Sequence, residues 1–247
     1  MPFDLTAGGS VWLAAVVLVA AFVRGYSGFG YSAIVIAGSA LVTNPLNLVA
    51  VVMVMEFAMS VQSWRGAGPD IDWRRVLLLM LGAAVGLPLG LWALTAVSED
   101  TARAAISAYV LAMCAVLLLG WRMAAEARGA GANLTAGLAS GLANAPGMGG
   151  LPLAAFFAAQ PIPAPVFRAT LIAYFPILDL YSAPLYWAHG MIGRDTLLAA
   201  LWALPLTVLG NWLGGRHFFG TDPREFRRFS LLLLAVLAAL GLGKALL

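Results

Sequence analysis

Two stretches decide how this chain is read: Gly25-Tyr26-Ser27-Gly28-Phe29-Gly30 and Ala145-Pro146-Gly147-Met148-Gly149-Gly150. Each is a glycine-rich break inside a long run, 25–55 and 129–167, that contains no Asp, Glu, Lys or Arg. Charge-free runs continue at 76–98, 104–121 and 196–215. A membrane span needs about 20 mostly apolar residues at about 1.5 Å each, and the runs supply this several times over. The chain is 62% hydrophobic and only 10% charged, whereas a water-solvated surface needs roughly 25% charged residues. The fold class is therefore all-α, a polytopic transmembrane helical bundle.

Outward from the breaks, ten apolar segments can be traced: about 10–24, 31–43, 46–64, 75–96, 102–122, 133–144, 151–160, 166–187, 196–213 and 229–246. The first two and the pair 133–144 and 151–160 are short for spans, and each short pair flanks one break. Three full-length segments follow each pair, so the pattern repeats. Gly86-Leu87-Pro88-Leu89-Gly90 and Gly210-Asn211-Trp212-Leu213-Gly214 lie 124 residues apart. Ser98-Glu99-Asp100-Thr101-Ala102-Arg103 and Asp222-Pro223-Arg224-Glu225-Phe226-Arg227 keep the same offset, and Gly28-Phe29-Gly30 precedes Gly147-Met148-Gly149 by 119. The expected organisation is one membrane domain of two repeats, 1–128 and 129–247.

An odd number of crossings per half makes the halves inverted. Arginine placement sets the orientation, because cytoplasmic loops retain basic residues. Arg65, Arg74 and Arg75, then Arg122 and Arg128, then Arg216, Arg224, Arg227 and Arg228 fall in three loops that the rule puts in the cytoplasm. The 97–103 and 188–195 loops carry one Arg each and face outward. Both termini are then external, in a multi-pass protein of the cell inner membrane. No signal peptide is expected at the N-terminus, since Asp4 stands where a basic region would be and Arg24 is the first basic residue. Thirteen of the fourteen basic residues are Arg; as anchors between apolar runs they explain the net charge of +3 without nucleic acid. Cys114 alone excludes an intramolecular disulfide.

Non-helical backbone survives at membrane depth only inside protein or around a cavity. Two breaks in matching positions therefore point to a substrate site, and the helix restarts near Tyr31 and Leu151 present N–H groups and positive dipole ends suited to an anion. The alternative is that the glycines only permit close helix packing. Candidate substrate ligands are Arg24, Gly25, Tyr26, Ser27, Gly28, Phe29, Gly30, Tyr31, Ser32, Asn144, Pro146, Gly147, Met148, Gly149 and Gly150. Glu56 and Asp179 occupy matching apolar segments. Either they take part in proton-coupled transport, since burial disfavours a charged carboxylate, or they make structural hydrogen bonds. Arg24, beside the break, is the better anion ligand; Arg168 is expected to snorkel to the interface. Thr43, Asn44, Tyr174 and Tyr181 are further polar groups near the expected pocket. His189 has no second His or Cys at metal spacing, so neither metal nor cofactor is expected. Trp64, Trp73, Trp121 and Trp187 read as an interfacial belt.

The sequence resembles the TauE/SafE sulfite-exporter family of anion permeases over nearly its whole length. The resemblance rests on the duplicated layout, on Gly25-Tyr26-Ser27-Gly28-Phe29-Gly30 followed by Asn44-Pro45, and on Gly86-Leu87-Pro88-Leu89-Gly90. Pro146-Gly147-Met148-Gly149-Gly150 and Asn211-Trp212-Leu213-Gly214 look like the second-half counterparts, although Ala145-Pro146 departs from the family's usual glycine triplet there. It implies transport of sulfite, of sulfonates such as sulfoacetate, or of related small organic anions. The expected partners are that anion and the lipid bilayer; a homodimer is compatible with the sequence. A channel or an assembly factor without coupled transport is the competing reading. Glu56 and Asp179 are the only intramembrane carboxylate pair and lack the glycine-aspartate signature of a membrane protease, which argues against an enzyme.

Overall fold

The computed structural model describes residues 3, 5–64, 68–120 and 122–217. Among them the fold is helical throughout, with nine α-helices: α1 (Ala7–Ser27), α2 (Tyr31–Ser39), α3 (Val49–Ser63), α4 (Trp73–Thr95), α5 (Glu99–Leu119), α6 (Ala130–Asn144), α7 (Gly150–Ala158), α8 (Ala164–Ala188) and α9 (Arg194–His217). The tenth segment, 229–246, lies outside the described residues, as do Arg65, Trp121 and the cluster Arg224, Arg227 and Arg228. Five helical stretches are long and apolar enough to cross a membrane.

The first segment is longer than its apolar core suggests. The Thr6 side chain accepts the Gly9 N–H and starts α1 early, and the helix runs on through Arg24 to Ser27 before Gly28 ends it in the left-handed conformation. So 21 residues form α1, enough for a crossing, and Gly25, Tyr26 and Ser27 are helical rather than part of the break. In the second half α6 stops at Asn144, and the true break is 145–149.

Small residues decide which helices meet. Cβ atoms built on Gly82 and Gly86 of α4 would stand 2.2 and 2.3 Å from the Leu134 and Leu138 carbonyl oxygens of α6. Gly137 of α6 returns the contact against Leu79 O at 2.1 Å. Gly210 and Gly214 of α9 press on Leu18 O and Phe22 O of α1, and Gly25 presses on Asn211 O. Side chains at these positions would force the backbones apart, so glycine is what lets two helices cross at contact distance. The pairings α4 with α6 and α1 with α9 are the most extensive in the molecule. They are reciprocal, since the first helix of each half seats on the fourth element of the other. Likewise α3 packs on α8, α3 on α9, and α4 on α8.

Proline in α4 has a partner that restores the lost bond. Pro88 cannot donate to Ala84 O, and the Tyr181 hydroxyl of α8 donates there instead at 2.8 Å. That accounts for Tyr181, which takes no part in the site.

Each short helix folds back on its predecessor. The Trp12 indole donates to Gly38 O at 2.9 Å, bringing the start of α1 to the end of α2, and Phe3 N donates to Asp195 beside the 189–193 connection. At the other hairpin Met123 N donates to Ala159 O, and Ala127 N and Arg75 Nη1 both donate to Gln160 Oε1. Arg75 also meets Asp72 and Glu126. The two hairpins therefore open toward opposite ends of α8.

Trp64, Trp73 and Trp187 project outward, with Trp187 74% exposed.

Candidate functional site

The first break owes its shape to two glycines. Gly28 at φ 82° and Gly30 at φ 94° take the left-handed conformation that a side chain disfavours, and between them the chain turns from α1 into α2. Nothing in a side chain caps α2 at Gly30. The free N–H groups of its first turn would be costly in an apolar interior.

A carboxylate from α3 fills that role. Glu56 accepts hydrogen bonds from both the hydroxyl and the backbone N–H of Ser32. The same carboxylate pairs with Arg24, Nη1 to Oε1 at 3.3 Å, and Arg24 Nη2 donates to Ser60 Oγ at 2.9 Å. The Arg24 guanidinium stacks over the Phe175 ring at 5.1 Å, and both members of the ion pair are about 5% exposed. Arg24 is thus neither a lipid-facing anchor nor an open anion ligand. It is a buried cation shared between a carboxylate, a hydroxyl and an aromatic face.

Asp179 of α8 joins this group electrostatically: its charge is opposed by Glu56 and favoured by Arg24. It is 4% exposed, and among the described residues its Oδ2 has no hydrogen-bond partner. Hence the two carboxylates singled out in the sequence do converge, from α3 and α8, on one arginine.

Arg168 departs from expectation. Instead of snorkelling away it reaches back over the break, with Nη2 donating to Gly25 O at 3.2 Å and its stem 3.2 Å from where a Gly28 Cβ would lie. Its charge opposes that of Arg24. The α1 carbonyls near Gly25 lie at a helix C-terminus, where a cation is favoured over the open interface. Sequence spacing could not reveal a contact across 143 residues.

The remaining first-break candidates sort by what they touch. Gly25 serves the crossing with α9. Tyr26 is buried, Phe29 meets Phe167 edge-on at 6.4 Å, and the Tyr31 hydroxyl pairs with Thr207 at 3.2 Å. The Ser27 side chain lies outside the described residues.

The second break is built from neutral groups. Gly147 at φ 78° supplies its left-handed residue, packed near Val49 and Ile36, whereas Gly149 is right-handed. Gly147 N and Met148 N close back on Asn144 O and Ala143 O, both at 2.8 Å. The Tyr186 hydroxyl donates to Asn144 O, and Asn144 Nδ2 donates to that hydroxyl at 3.3 Å. Ser140 Oγ donates to Gly149 O at 2.8 Å and accepts from the Tyr174 hydroxyl at 2.9 Å. Asn144 is therefore committed to Tyr186, Met148 is fully buried, and Pro146 is half-buried. A Cβ on Gly150 would lie 3.3 Å from the Phe175 ring, so that one ring lies against Arg24 near the end of α1 and Gly150 at the start of α7. Thr43 and Asn44 stabilise the turn into α3 and are not part of either group.

The sulfite exporter TauE/SafE family profile matches residues 13–241, nearly the whole chain. The chain belongs to the TauE/SafE family. As a member it is a multi-pass membrane protein of a transporter family, with a small anion as its class of substrate and the lipid bilayer as its setting. No curated protein and no solved structure gives a significant match. In this TauE/SafE chain Arg24–Glu56 is, among the described residues, the one ion pair with both side chains buried.

Proposed function

We propose that the protein exports a small anion, sulfite or an organosulfonate such as sulfoacetate, across the cell inner membrane. The observation that carries this reading is the buried Arg24–Glu56 pair at the N-terminus of α2. A guanidinium fork, a serine hydroxyl and a helix-start N–H together match the oxygens of a sulfite or sulfonate group. The first-break residues Arg24 to Ser32 form the binding side. The residues Asn144 and Pro146 to Gly150 form the opposing wall, and Glu56 and Asp179 couple transport to protons. The reciprocal helix pairings and the oppositely opening hairpins support two inverted repeats, 1–128 and 129–247, with both termini external.

Counterflow of labelled sulfite in proteoliposomes tests the function. A carrier gives saturable uptake that speeds up with anion on the far side, whereas a linear flux with no such acceleration returns the channel reading. Labelling of a cysteine placed at the exposed Asp70 tests the orientation, since only a cytoplasmic reagent should reach it.

A further inference from the structure

We infer that Glu56 is the resident occupant of the anion seat, and that a substrate anion enters only when Glu56 takes up a proton and releases Arg24 and Ser32. This rests on the anion-transport reading above and adds an order of events to it. The seat is already holding an anion, but one that belongs to the protein. Glu56 accepts from the Ser32 hydroxyl, the Ser32 N–H and Arg24 Nη1, which are the donors a sulfonate would need. Two anions cannot share them.

Asp179 supplies an independent observation. Its buried Oδ2 has no donor among the described residues, and it faces the same charges. A carboxylate accepts only, whereas a protonated carboxyl can donate. Once Glu56 carries a proton it no longer competes for Arg24, and Asp179 Oδ2 is left as an acceptor in the same group of charges.

The charges balance. With Arg168, whose charge opposes that of Arg24, the group Arg24, Arg168, Glu56 and Asp179 sums to zero when both acids are ionised. One proton added with one monovalent anion leaves that sum unchanged, so proton and anion load as a neutral pair. The groups facing Glu56 are Arg24 from α1, Tyr31 and Ser32 from α2, and Asp179 and Tyr186 from α8. From α9 the neutral Thr207 enters through the Tyr31 hydroxyl.

The test is calorimetric binding of methanesulfonate to the full-length protein in detergent, at about pH 5.5 and about pH 8. This monoanion does not titrate in that range, as sulfite does. The parent protein should bind more tightly at the lower pH, with a slope approaching about tenfold per pH unit where Glu56 titrates. Glu56→Gln should bind at both pH values at least as tightly as the parent does at the lower one, and the slope should flatten. The neutral pair Arg24→Gln/Glu56→Gln leaves no lone buried charge behind and should bind weakly without a slope. If Glu56→Gln alone does not fold, Asp179→Asn takes its place: it should keep the parent's slope, and a flat response there assigns the proton to Asp179 and overturns the inference. Sulfite counterflow with no pH dependence of sulfonate binding, or a well-folded Glu56→Gln that binds more weakly than the parent at both pH values, overturns the inference and leaves transport standing. Absence of both binding and counterflow overturns the transport reading itself.

Discussion

The two breaks share a scaffold and differ in what fills it. Both follow a helix that crosses the other half on glycine, both turn through a left-handed glycine, and both restart in a nine-residue helix. At the first, the turn is held by charges from α1, α3 and α8: Arg24, Glu56 and Arg168. At the second it is held by Tyr186, Ser140 and Tyr174, all uncharged. A neutral network with its bonds made costs little to bury and fixes one geometry. A buried ion pair is different, because its members can exchange partners with a third charge. On the proposed function this is a division of labour: one break holds the anion and the other braces the wall opposite.

The largest expected effect separates Arg24 from Asn144. Arg24→Gln removes a charge-assisted contact in a desolvated site, worth about 2 kcal/mol or more, so sulfonate affinity should fall about thirtyfold or further. Asn144→Ala should cost no more than about fivefold. Calorimetry on both variants with one ligand checks this, and equal losses would erase the distinction between the breaks.

Gly28→Val and Gly147→Val come next. A β-branched residue at positive φ costs about 1–3 kcal/mol at either position, so both should lower thermal stability by similar amounts. Only Gly28→Val also displaces Arg168, and only it should lose most anion binding while folded protein remains. Binding measured per folded molecule separates the two contributions.

Tyr186→Phe probes the brace alone. Loss of its two hydrogen bonds to Asn144 should destabilise the protein by about 1–2 kcal/mol and leave affinity within about twofold. A large affinity loss at unchanged stability would make the second break a direct ligand of the anion rather than a braced wall.

The smallest effect lies away from both breaks, at the Arg75–Glu126–Arg128 contact. A hydrogen bond from Arg128, aided by the charges of Arg128 and Arg75, holds the Glu126 carboxyl below its usual range. Its folded value lies below the unfolded one, so its stabilisation is present above about pH 4.3 and fades as pH falls through the folded value. Thermal melts of Glu126→Gln should match the parent at low pH and fall slightly short of it at neutral pH, with anion binding unchanged.

Much of this was legible in the sequence because the signals are local. Run length and missing charge located the helices to within a few residues, and paired glycine clusters located both turns. The α1 boundary was less so: Thr6 and the helical Gly25 extend a segment whose hydropathy is high only from residue 10 to 24. Glu56 and Asp179 stood out as acids in apolar runs, yet no spacing rule tells which helix start a carboxylate will cap. The Glu56–Ser32 contact depends on how α2 folds back, and Arg168 reaches Gly25 only because α8 passes the tip of the first hairpin. Tyr181 is similar, since its partner is a carbonyl orphaned by a proline in another helix.

The glycine crossings carry a consequence for assembly. Each half contributes one helix to α1–α9 and one to α4–α6, so the halves are interlocked like clasped hands rather than laid side by side. Severing the 120–129 connector would leave both clasps intact. Fragments 1–128 and 129–247 produced together in one cell should therefore find each other and purify as a complex, whereas either alone would expose glycine-notched faces with nothing seated in them.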